Sequence, residues 1–232
     1  PPVSAATIVG VVSERSAAEL AAGAEQFAET YPDHRVMLRT PEQLARLEDR
    51  QLADLVSGAD ALLMAAVFGE QVGRLARVVS EQAEARSFPI LAVNGDRSLT
   101  RLSWLDGESP LAGLDDQTLN ELMAAPEPGA DVAKHNAVLR KQFPQQASWL
   151  DGRILYQGRT PEHLDALLRW LLVQADYDLE VPELPPRSLI RYYRDGEAMD
   201  DPRDLGLRAG PAVTLLDLDS GDRPGDRAVL DD

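Results

Sequence analysis

Four short apolar runs, each but the last followed directly by an amphipathic stretch, fill the first 95 residues and leave few folds open. Residues 7–13 (TIVGVVS) are β-branched and almost wholly apolar, as a strand covered on both faces must be. Leu20, Ala24, Phe27 and Tyr31 then recur at three- or four-residue spacing, the stripe of a helix packed on one side. Residues 34–40 (HRVMLRT) form a more polar run, expected nearer a sheet edge. Thr40-Pro41-Glu42-Gln43 reads as a helix start: threonine caps, proline suits the first helical position, and Gln43 closes a capping box. Residues 59–67 (ADALLMAAV) give a third strand, and Val72, Leu75, Ala76, Val79 and Ala83 the next helical stripe. Residues 88–93 (FPILAV) give a fourth, ending at Asn94-Gly95-Asp96. Alternating strands and helices at this period predict an α/β fold, a flavodoxin-like or Rossmann-like parallel sheet flanked by helices.

Residues 97–150 carry no strand signal and read as helices broken at Pro110, Pro126, Pro128 and Pro144. Residues 153–157 (RILYQ) are expected to be a fifth strand. Thr160-Pro161-Glu162 repeats the earlier helix start, and Leu164, Leu167, Leu168, Leu171 and Leu172 follow as an amphipathic stripe. These elements make residues 1–175 an amino-terminal head domain. Residues 176–210, with Pro182, Pro185 and Pro186, have the stiff composition of an acidic linker. Residues 212–219 (AVTLLDLD) read as a strand and residues 228–232 as the start of a helix, so 211–232 is expected to be the truncated start of a second α/β domain. The chain thus reads as the front end of a larger protein.

Composition narrows the function. The chain of 232 residues holds 39 acidic and 23 basic side chains, a formal charge of -16, and no cysteine. Such a field repels phosphate backbones and anionic lipid, which argues against nucleic-acid and membrane-surface binding. No apolar run approaches the roughly 20 residues of a membrane span. Absent cysteines remove disulfides, thiolate metal sites and cysteine nucleophiles. The opening Pro1-Pro2-Val3-Ser4-Ala5-Ala6 has small residues suited to the end of a signal peptide, so a periplasmic location is favoured slightly over a cytoplasmic one.

Ligands of doubly wound sheets lie beyond the carboxyl ends of the strands. Three such ends are polar here: Ser13-Glu14-Arg15-Ser16, Phe68-Gly69-Glu70 and Asn94-Gly95-Asp96-Arg97. The candidate ligand-binding residues are therefore Ser13, Arg15, Phe68, Asn94 and Asp96. The competing reading makes Ser13 or Ser16 a helix cap and Asn94-Gly95 a turn. The first strand lacks G-x-G-x-x-G, and no P-loop exists, which disfavours nucleotide phosphates. His34, His135 and His163 are scattered without metal-ligand spacing, and His135 and His163 read as solvated surface side chains. Asp217, Asp219, Asp222 and Asp226 read as a solvated acidic loop more readily than as a cation site. No G-x-S-x-G elbow or Ser/His/Asp order stands out, so no catalytic residue is assigned.

Three segments carry a family resemblance. Residues 211–217 (PAVTLLD) followed by 225–231 (GDRAVLD) resemble a proline-led strand, loop and Gly-Asp helix near the front of cobalt and magnesium chelatase large subunits. Tyr156-Gln157-Gly158-Arg159-Thr160-Pro161-Glu162-His163-Leu164 is similar to that family's Gly-Gly-Pro-Glu-Asn-Leu segment, with Thr160 and His163 in place of expected residues. Residues 190–196 (IRYYRDG) fall where the family has Gly-x-Tyr-His-Pro, and keep Tyr193 without the His or Pro. The ordered resemblance covers about residues 150–232 and is closest to CobN-like proteins, including exported relatives that handle haem or other metal tetrapyrroles.

The resemblance implies the amino-terminal region of a large subunit that binds a tetrapyrrole for metal insertion or removal. Separate ATPase subunits would be partners, and tetrapyrrole and divalent metal would be substrates of the full-length protein. The chelation residues of the family lie in later parts of the subunit, so none is carried over and the fragment is expected to be inactive alone. Two other readings stay open: a stand-alone exported module binding a small ligand at the strand ends, and a structural domain whose acidic tail meets a basic partner.

Overall fold

The computed structural model describes residues 5–85, 88–124, 126, 131–185, 192–194 and 197–199. The expected strand at 212–219, the helix from 228 and the whole second-domain segment lie outside the described residues, as does much of the linker.

The four apolar runs become four parallel strands: β1 (Thr7–Val12), β2 (Arg35–Arg39), β3 (Ala61–Ala65) and β4 (Ile90–Val93). Their order is β2-β1-β3-β4, so the more polar β2 lies at an edge, as its composition predicts. The direction of winding reverses between β1 and β3, which makes their carboxyl ends the topological switch point. Side chains alternate between two cores. Ile8, Val12, Leu63, Leu91 and Val93 face one, while Val9, Val11, Leu62, Met64, Ile90 and Ala92 face the other.

Helices α1 (Glu14–Thr30), α8 (Ala147–Gly158) and α9 (Pro161–Val173) cover the first face, joined by α6 (Asp116–Met123) and α7 (Val132–Gln142). Helices α2 (Pro41–Ala45), α3 (Asp49–Ser57), α4 (Gln71–Ala85) and the short α5 (Arg97–Thr100) cover the second. The result is a three-layer α/β sandwich. The predicted capping box at Thr40 forms, with Thr40 accepting from the Gln43 amide and Gln43 from that of Thr40. Helices α1 and α9 cross closely at Gly23, where an added Cβ would lie 2.5 Å from Leu164 Cβ.

The expected fifth strand at 153–157 is instead the last part of α8. Trp149, Leu150, Gly152, Arg153, Tyr156, Gln157 and Gly158 are its buried positions, a helical stripe that a five-residue window cuts too short to show its period. The outer edge of β4 is also occupied by other groups. Ile90 exchanges backbone bonds with Trp104, the Ala92 amide donates to Ser103 Oγ, and Trp149 Nε1 donates to the Ala92 carbonyl (2.9 Å). No ladder is left there for another strand to join.

Beyond α9 the first part of the linker folds back on the domain. Tyr177 meets His34 edge-on, with ring centroids 5.6 Å apart, and Leu179 and Val181 pack against the first core. The Pro185 carbonyl then lies 3.0 Å from His163 Nε2, at the amino end of α9. A two-stranded antiparallel ribbon, β5 (Tyr192–Arg194) and β6 (Glu197–Met199), follows in the chain.

Candidate functional site: the carboxyl edge of the sheet

The three polar strand ends form one ledge. The Ser13 amide donates to the Ala65 carbonyl (3.1 Å), tying the exit of β1 to the end of β3. The Asp96 amide donates to the Val67 carbonyl (2.9 Å), tying the exit of β4 to the same loop. Gly95 is needed at that junction, because a Cβ there would lie 3.0 Å from the Val67 oxygen and 3.1 Å from its nitrogen. Ala66 and Asn94 both take left-handed backbone, with φ of 54° and 52°, so the chain turns sharply at each exit.

Two of the five candidate residues hold helix ends. Ser13 Oγ accepts from the Ser16 amide and caps α1. Asp96 accepts from the Ser98 amide (2.8 Å) and the Ser98 hydroxyl (2.6 Å) and caps α5. Those two bonds, the hydroxyl's first, hold the Asp96 carboxyl below its ordinary range. The other three candidates face outward to differing degrees. Phe68 is 60% exposed, Arg15 is exposed at the start of α1, and Asn94 is half-buried.

Behind the ledge lies a polar network that the sequence pattern did not reveal as a unit. Ser16 is buried, and its hydroxyl receives Tyr156 Oη (3.2 Å) and both terminal nitrogens of Arg159 (3.2 Å each). Arg159 also donates to Tyr156 Oη (2.6 Å), stacks 4.7 Å from that ring centroid and pairs with Glu19 through Nε (3.3 Å). These partners lie up to 143 residues apart, and no local spacing signals them. Arg159 reaches them because it closes α8 in left-handed conformation, φ 59°.

His163 corrects an expectation. It is buried rather than solvated, with Nδ1 2.8 Å from Thr160 Oγ1 and its ring against the Gly158 backbone. Among the described residues no group of three or more His, Asp or Glu side chains is arranged to hold a metal ion. Asp217, Asp219, Asp222 and Asp226 lie outside the described residues. Chemically, the ledge offers an exposed aromatic face, a guanidinium and a carboxamide over a braced polar base. That set suits binding more than bond-making. The chain matches no known protein-family model and no curated protein sequence.

Proposed function

We propose that this chain is the amino-terminal part of a CobN-like chelatase large subunit, and that it holds or gates a tetrapyrrole without inserting metal itself. One observation carries the reading: residues 156–164, which bear part of the family resemblance, close onto the exit of β1 at the switch point through Arg159, Tyr156 and Ser16. Two features of the ledge favour a flat macrocycle with peripheral acids. Phe68 presents an apolar face of the size a pyrrole ring covers, and Arg15 adds an exposed guanidinium to the same ledge. Metal insertion then belongs to the rest of the subunit and to ATPase partners, with tetrapyrrole and divalent metal as substrates.

Titrating the chain with haem and with a cobalt corrin, read in the visible absorption bands, tests the proposal. A saturable spectral change with no metal insertion into free porphyrin is expected. No change at high micromolar ligand, or insertion by this chain alone, overturns it.

A further inference from the structure

Among the described residues β2 ends the sheet, so its outer side presents an open ladder. The Arg35 amide donates to the Ala6 carbonyl (2.7 Å), and the parallel register then turns the backbone of Arg35, Met37 and Arg39 toward β1. Val36 and Leu38 therefore point their amides and carbonyls away from the sheet. Arg39 Nη1 donates to the outward Leu38 carbonyl (2.8 Å), which sets that guanidinium along the open side. The side chains of Val36 and Leu38 line an apolar groove of about 360 Å³, walled by Ala21, Ala24 and Ala28 of α1 together with the exposed Glu25. Arg74, Arg77 and Arg101 are all engaged in ion pairs, but neither Arg35 nor Arg39 forms one among the described residues of this strongly acidic chain.

A strand added here would meet the Val36 amide and carbonyl and the Leu38 amide, and its side chains would share the faces of those directly opposite. Residues level with Arg35 and Arg39 would lie on the Met37 face, where two cations four positions apart call for two acids. Residues level with Val36 and Leu38 would lie over the groove, where apolar side chains fit and Glu25 repels an acid. A second copy of β2 fits poorly, because antiparallel pairing about Met37 sets Arg35 opposite Arg39 of the other copy. We propose that the open side of β2 docks an extended strand of a partner polypeptide, with acids at both ends and apolar residues between them. None of the five ledge candidates takes part, so the proposal stands apart from the macrocycle reading.

Fluorescence anisotropy of the whole chain with a labelled, end-blocked peptide Ser-Glu-Val-Thr-Val-Glu-Ser tests this, against the same peptide with Lys for Glu. The titrations are run at about 0.15 M salt, which screens the chain's net charge beyond about 8 Å. Saturable binding of the acidic peptide is expected, with the basic one about tenfold weaker. Arg35→Glu changes an exposed side chain, and should weaken the acidic peptide about fivefold while tightening the basic one. Val36→Pro removes an outward amide and spares the pairing with β1, so it should abolish binding of both peptides at a retained melting temperature. If the proline variant unfolds, the charge swap at Arg35 decides. The proposal is overturned by equal binding of the two peptides, by an unaffected Arg35→Glu variant, by a dimer of the chain that Val36→Pro dissolves, or by no saturable binding in the millimolar range.

Discussion

Replacing Arg153 with methionine tests how α6, α8 and the sheet are locked together. Arg153 is 2% exposed, and its guanidinium donates to the carbonyls of Leu122 (2.9 Å), Met123 (2.6 Å) and Ala124 (3.0 Å) at the carboxyl end of α6. With its amide turned to satisfy both groups, Gln157 accepts from Nε as well (3.0 Å). Burial pulls the guanidinium down to about 10, so it stays charged at neutral pH at a desolvation cost of about 3 kcal/mol. Charge-assisted bonds to three carbonyls contribute about 5 kcal/mol against that cost. Methionine of similar reach recovers the desolvation and loses the bonds, but it also strands three helix-end carbonyls. The net expectation for Arg153→Met is a loss of about 3 kcal/mol. Urea unfolding followed by far-ultraviolet circular dichroism reads this as a lower midpoint at unchanged slope. Arg153→Lys should fall between, because an ammonium lacks the planar fork. A methionine variant as stable as the parent would refute the reasoning, showing that burial of the charge outweighs its bonds.

Three further outcomes follow from the same geometry. Phe68→Ser should change stability by less than about 0.5 kcal/mol, since the ring is 60% exposed, yet abolish the haem or corrin spectral change. Asp96→Ala should cost about 1 kcal/mol at pH 7 through the lost cap, read by thermal melting. Because the Asp96 carboxyl is depressed in the folded state, that deficit is full above about pH 4 and fades as pH falls through the depressed value. Gly158→Ala should cost about 2 kcal/mol or more, because the new methyl would sit 2.1 Å from His163 Cδ2; a melting temperature equal to the parent's would show that the imidazole has room to move.

The sheet was legible because each of its strands announces its own burial. β1, β3 and β4 are apolar on both faces, and β2, with Arg35 and Arg39 at its ends, reads as an edge. The caps at Thr40 and Thr160 were legible for a similar reason, being decided within four residues. Residues 153–157 misled because a buried helix turn and a short strand share the same apolar signature, and only the register of Trp149 and Leu150 distinguishes them. The network of Ser16, Glu19, Tyr156 and Arg159 was illegible because it forms across the chain. Its members meet only once the carboxyl end of α8 reaches the first turns of α1. His163 was misread because its burial comes from Gly158 and the returning Pro185, neither of which a helical stripe records.

The proposed macrocycle site is the carboxyl edge of the sheet. Amide chemical shifts of the isotopically labelled chain, followed during titration with a diamagnetic cobalt corrin, test that claim directly. Perturbations centred on Ser13, Arg15, Phe68, Asn94 and Asp96 are the expected result. Shifts confined to the opposite edge around Trp104 and Tyr177, or none at saturating corrin, would contradict it.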